Sequence, residues 1–155
     1  MGDEKLMERA VETAQKSAVT GGGPFGAIVV KEGEIIGTGN NQVTATNDPT
    51  AHAEVQAIRE ACKRLDSFQL TDCEIYTSCE PCPMCIGAIY WARPKAVYYA
   101  ASQKEAAEAG FDDHFIYEQI ALPVEERDIQ MKQVMTDKYD MPFQTWKNSV
   151  DKMSY

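Results

Sequence analysis

Nothing in this sequence reads as a membrane span. Its apolar runs are short, Ala27-Ile28-Val29-Val30 among them, where a bilayer asks for about 20 consecutive apolar residues. A basic stripe is missing too. Lys and Arg number 15 against 24 Asp and Glu, for a net charge of −9, and the nearest approaches to a basic cluster are Lys63-Arg64 and Arg93 with Lys95. Polyanion binders displace counterions with clustered cations, so no nucleic acid and no membrane is expected as a partner. The opening Met1-Gly2-Asp3-Glu4-Lys5 lacks the basic and apolar regions of a secretion signal, and Leu6 stands where a myristoylation signal wants Ser or Thr. Five cysteines, an odd number without such a signal, point to reduced thiols and a cytoplasmic chain rather than a disulfide framework. With no repeat, linker or low-complexity stretch, 155 residues are expected to form a single domain, 1–155, with a core of its own.

Helical periodicity places Met7, Ala10, Val11, Ala14 and Ala18 on one face of a helix over residues 3–18. Gly21-Gly22-Gly23-Pro24 ends it, and Glu32-Gly33 joins two strand-like runs, 25–31 and 34–38, into a hairpin. A polar loop leads to Pro49, and a second helix begins near Ala51. Further strands are expected at 74–78, 95–101 and 129–135, with helices at 83–92, 105–109, 115–121 and 142–150. Strands alternating with helices predict an α/β domain, a mixed five-stranded sheet covered by helices in a three-layer α/β/α arrangement.

Two segments carry chemistry: Pro49-Thr50-Ala51-His52-Ala53-Glu54 and Cys79-Glu80-Pro81-Cys82-Pro83-Met84-Cys85. Cys82 and Cys85, three apart at a helix start, share one face and can grip one metal. Pro81 and Pro83 suit a first turn, whose N–H groups lack partners in any case. The exposed N–H groups of such a turn lower thiol pKa and favour thiolates. Alone, this pair is equally a redox couple, half of a structural zinc site with Cys79 as a further ligand, or part of an iron–sulfur run. His52 narrows the choice: one imidazole and two thiolates leave the fourth position of a zinc ion open, the pattern of a catalytic site. His52 and Glu54 would point about 200° apart on a helix, so they converge only if the helix aims its N-terminus at the site, capped by Asp48 or Thr50. Cys62, on an apolar helix stripe, and Cys73, opening a strand, read as core. His114 reads as an exposed loop residue.

His52-Ala53-Glu54 followed by Pro81-Cys82-Pro83-Met84-Cys85 matches the H-x-E…P-C-x-x-C signature of zinc nucleobase deaminases. The chain thereby resembles the cytidine deaminase-like superfamily. It is most similar to the small bacterial guanine deaminases, through Gly23-Pro24-Phe25-Gly26-Ala27, Asn47-Asp48-Pro49-Thr50, Thr77-Ser78-Cys79-Glu80, Gly87-Ala88-Ile89-Tyr90-Trp91-Ala92 and Ala109-Gly110-Phe111-Asp112-Asp113. The resemblance implies one Zn2+ per chain on His52, Cys82 and Cys85, with Glu54 moving protons and Asp113 as a second carboxylate serving the leaving amine. It implies Asn41 as a reader of the substrate and Phe25 and Trp91 as pocket walls. It also implies a homodimer that exchanges residues 142–155, bringing Tyr155 to the partner's pocket, although Lys152-Met153-Ser154 departs from the pattern. The implied reaction is hydrolysis of guanine, a small-molecule nucleobase, to xanthine and ammonia. Guanosine, cytosine, an aminated triazine or transfer-RNA adenosine are alternative substrates for the same chemistry, and a zinc- or cluster-stabilised interaction module is the non-enzymatic alternative.

Overall fold

Residues 1–155 are all described in a computed structural model. Helix α1 (Glu4–Val19) starts where the Asp3 carboxylate accepts hydrogen bonds from the Lys5 and Leu6 backbone N–H groups, satisfying donors that a helix start leaves without partners. Its inward face is small, with Ala10, Ala14 and Ser17 buried, so it lies close against strand β1 (Gly23–Lys31). β1 turns into β2 (Glu34–Asn41) through Glu32 and Gly33, at φ of 51° and 80°, the left-handed pair that a two-residue hairpin requires. On β2, a Cβ at Gly39 would collide with the Ala53 carbonyl oxygen. Helix α3 (Ala53–Leu65) can therefore press its first turn onto the strand only because that side chain is absent, and this contact sets the position of His52.

β3 (Cys73–Cys79) runs antiparallel to β1, and α4 (Pro83–Ala92) carries the chain over to β4 (Ala96–Ala101), parallel to β3. The strand order is β2-β1-β3-β4. Both sheet faces are apolar. Ala27, Val29 and Ile75 pack with Ala53, Ala57 and Ala61 of α3 and with Ile89 and Ala92 of α4. Ile28, Val30 and Tyr76 pack with Ala10 on the opposite face. Full burial stabilises each Ile, Val or Leu by about 1.5–3 kcal/mol. The Tyr76 hydroxyl also accepts from the Asp3 N–H and donates to Glu74, pinning the start of α1 to the sheet.

The sheet has four strands, not the five expected. Residues 129–135 form no ladder with any other strand; a run of strand-like composition does not make a strand without a neighbour for the backbone N–H and C=O groups. The loop after β2 contains a short helix, α2 (Val43–Thr46), for which nothing in the sequence prepares. α5 (Gln103–Glu108) begins with a Ser102–Glu105 capping box, followed by α6 (His114–Ala121) and α7 (Met141–Asn148). The chain divides into two compact units, Met1–His114 and Phe115–Tyr155. The second holds most of α6, a 3-10 turn at Val124–Glu126, and α7; no residue of it is buried.

Candidate active site

The two helix starts expected to hold the site do so, with one correction. His52 is not on α3 but immediately before it, with extended backbone at φ −72° and ψ 155°. The 200° separation from Glu54 therefore does not arise, because only Glu54 follows the helical period. Nor do Asp48 or Thr50 cap the helix. The Asp48 carboxylate accepts from the Thr50 N–H (2.8 Å) and hydroxyl (2.7 Å), which builds a tight turn and holds that carboxyl below its usual range. Cys82 occupies the matching place before α4, at φ −68° and ψ 168°, with Pro83 beginning the helix. His52 and Cys82, each poised just before a helix, and Cys85, in the first turn of α4, bring imidazole and thiols together.

The His52 Nδ1 lies 3.4 Å from the Cys82 sulfur and 3.5 Å from the Cys85 sulfur. All three donor atoms fall within 4.8 Å of one another. Tetrahedral zinc, with Zn–N of about 2.0–2.1 Å and Zn–S of about 2.3 Å, sets its N and S ligands about 3.6 Å apart. These residues fit zinc. Bonding to Cys85 and His52 holds the Cys82 thiol well below the ordinary range, whereas the Cys82 neighbour and burial push the Cys85 thiol up. Cys82 in turn raises the imidazole pKa of His52. Cys79 stays outside the group: its thiol donates to the Ser102 carbonyl at 3.8 Å, and burial pushes its pKa up to about 11. Cys62 packs half-buried against the core and Cys73 is buried in it, as expected of both.

Glu54, in the first turn of α3, is only 6% exposed, and burial raises its carboxyl above the usual range. One oxygen accepts from the Thr77 hydroxyl at 2.9 Å; the other lies 3.3 Å from the Cys85 sulfur. A buried carboxyl, whose neutral form burial favours, is suited to take up and return a proton. Asp112 and Asp113, chemically alike in the sequence, separate here. The Asp112 carboxylate accepts from the His114 N–H at 2.9 Å and so serves the start of α6. Asp113 is half-buried, its carboxyl raised by burial and by the nearby negative charge of Cys82. His114, exposed, is the first residue of α6.

Asn41 ends β2, its side-chain oxygen accepting from the Val43 N–H, and the adjacent Gln42 N–H bonds to the Ala51 carbonyl next to His52. Phe25 is half-buried and meets Phe111 edge-on, ring centres 5.0 Å apart. Trp91 lies in the last turn of α4, six residues and about 9 Å of helix rise past Cys85, and is exposed. Tyr155 ends the chain in the second unit, also exposed. Two residues escaped the sequence reading as site residues. Phe111 anchors the loop that carries Asp113, and an aromatic inside an acidic loop is its signal. Thr77 was visible as a hydroxyl two residues past the buried Ile75, on the same face of β3.

A family model for the cytidine and deoxycytidylate deaminase zinc-binding region matches residues 1–101. The chain is 59% identical to guanine deaminase of Bacillus subtilis (strain 168), over 100% of both chains. The crystal structure of a Bacillus subtilis guanine deaminase superposes with a TM-score of 0.97, covering 100% of this chain and 99% of that one at 59% identity. A tRNA-specific adenosine deaminase of Aquifex aeolicus (strain VF5) is 45% identical over 105 residues, 68% of this chain and 70% of its own. A guanine deaminase structure from Nitrosomonas europaea superposes at a TM-score of 0.68 and 32% identity, covering 72% of this chain and 65% of that one.

Proposed function

The chain belongs to the cytidine and deoxycytidylate deaminase zinc-binding family, and from that premise we propose that it hydrolyses guanine to xanthine and ammonia. The observation that carries the choice of guanine is extent. Likeness to the guanine deaminase of Bacillus subtilis runs through the whole chain, whereas likeness to the tRNA-specific enzyme of Aquifex aeolicus spans 68% of it. The net charge of −9 and the absence of a basic stripe also speak against a tRNA substrate.

His52, Cys82 and Cys85 would hold one zinc ion per chain. When bound, zinc supplies a Lewis acid that lowers the pKa of water to about 7. Glu54, with one oxygen facing the cysteines, takes the proton of the attacking water and hands it to a ring nitrogen of the base. The remaining hydroxyl proton of the water adduct then passes by way of Asp113 to the departing amine as the C–N bond breaks, so that guanine and water leave as xanthine and ammonia. Asn41 reads the base, and Phe25 walls the pocket together with Phe111.

The whole chain acts as one deaminase domain of the three-layer α/β/α kind, cytoplasmic with its five thiols unpaired, and as a homodimer. Two features support the dimer. Residues 115–155 bury no side chain. Helix α4 is apolar all round, burying Cys85, Ile89 and Ala92 while Ile86, Tyr90 and Trp91 face outward; large exposed apolar surfaces of this kind mark interaction sites. Exchange of 142–155 would bring Tyr155 to the partner's pocket, and Trp91 would serve as a pocket wall only in that assembly. The test is ammonia release from guanine, guanosine, cytosine, cytidine, adenine and a transfer-RNA anticodon arm. Guanine should be the preferred substrate, with xanthine formed in equal amount; preference for any other substrate overturns the assignment.

A further inference from the structure

We propose that Thr77 is a positioning residue for Glu54, the group that fixes which way the proton-carrying carboxylate faces. The inference rests on the deaminase reading, in which Glu54 moves the protons. Thr77 is 1% exposed, on β3 between its neighbours on β1 and β4, Ala27 and Tyr99. It is one of four polar or charged residues buried in the chain, and Glu54 is another. A hydroxyl so deeply buried costs free energy unless it is bonded, and its partner is the Glu54 carboxylate, 2.9 Å away.

The second hydrogen bond to Glu54, from the Cys85 thiol at 3.3 Å, cannot persist once Cys85 serves as a metal ligand, because metal binding takes the thiol proton. The Thr77 hydroxyl then remains as the side-chain donor to Glu54. It holds one carboxylate oxygen against the sheet and leaves the other directed at the cysteines. As a β-branched residue in a strand, Thr77 has few rotamers to choose from, so its donor stays aimed. Without it, Glu54 rotates among several orientations, and only one serves proton transfer.

Core packing and positioning predict opposite outcomes for two conservative variants. If Thr77 only fills volume, Thr77→Val is harmless and Thr77→Ser, which opens a methyl-sized hole, is the damaging change. If Thr77 orients Glu54, Thr77→Val lowers kcat by about 10- to 100-fold, the scale of a hydrogen bond to a charged group, with KM for guanine nearly unchanged. Thr77→Ser then keeps most of the wild-type kcat. Zinc content should stay at one per chain in both, and a crystal structure of zinc-loaded Thr77→Val should show the Glu54 carboxylate turned from its place. Normal kcat in Thr77→Val, a Glu54 carboxylate unmoved in its crystal structure, or loss of zinc or of folding in that variant would each overturn the proposal. A wild-type protein that releases ammonia from no base would instead overturn the proposed function, and the crystal structure would still decide the Thr77 question.

Discussion

Between Met1 and His114 the largest fully buried side chains are Tyr76, Ile28, Leu70 and Ile75; between Phe115 and Tyr155 no side chain is buried, and Ile129, Val134 and Val150 are 80%, 82% and 93% exposed. The second stretch is not poor in apolar residues. It contains Phe115, Phe143, Trp146 and Tyr155 as well as Met131, Met135 and Met153, and all of them stand in the open. The first region buries its apolar faces by itself, helix on sheet. The second has the composition of a buried segment without a core of its own. Every donor atom of the metal group, together with Glu54 and Asp113, belongs to the first region. The proposed function puts the reacting groups in the first region and gives the second the role of associating with another copy.

The largest effect should come from the metal group itself. Cys82→Ala removes a ligand from a three-ligand site, and we expect no bound zinc by elemental analysis, background ammonia release, and a lowered melting temperature, since metal binding and folding are coupled. Deleting residues 142–155 should sharpen the division. The remaining chain keeps one zinc per chain but loses its dimer by sedimentation and most of its guanine turnover, at least about 100-fold, because water is no longer excluded. A truncated chain that is monomeric and fully active would break the comparison. Asp113→Asn should lower kcat by roughly 100-fold, the scale of a positioned proton-transfer group, while Asp112→Asn, at the start of α6, changes it only a few-fold; equal losses would mean the wrong carboxylate was chosen. The smallest effect belongs to the outer face of α4. Tyr90→Ser should leave the stability of the first region within about 0.5 kcal/mol, yet weaken self-association about tenfold, near 1.4 kcal/mol. Unchanged sedimentation would remove α4 from the interface.

The first region was largely legible in the sequence because its signals are local. The Glu32-Gly33 turn and the Pro81-Cys82-Pro83 start of α4 each report on the backbone around them, while the expected stripe of α1 holds at Ala10 and Ala14 but not at Val11 and Ala18, which are exposed, Ser17 being buried instead. The candidate thiol donors were legible for the same reason: the short spacing of Cys82 and Cys85 keeps them at one helix start. What the sequence concealed were relations across the fold. His52 could not be seen to sit before its helix rather than in it, since that depends on Gly39 admitting the first turn of α3. The Thr77 hydroxyl meets Glu54 across 23 residues of sequence. Asp112 and Asp113 are chemically identical, and the fold tells them apart by the His114 N–H that engages the one and the burial of the other. The fifth strand expected at 129–135 is absent because pairing depends on a neighbouring strand, which the composition of one segment does not reveal.

The most direct test of the central claim compares the wild type with Glu54→Gln, both at one zinc per chain, supplied with guanine and followed for ammonia and xanthine. Glu54 is buried beside the metal group, and its neutral isostere keeps the shape while removing the base. The wild type should release one ammonia for each xanthine formed, and the variant should bind zinc normally and release none. Absence of ammonia from the wild type, or turnover persisting in Glu54→Gln, would contradict the account.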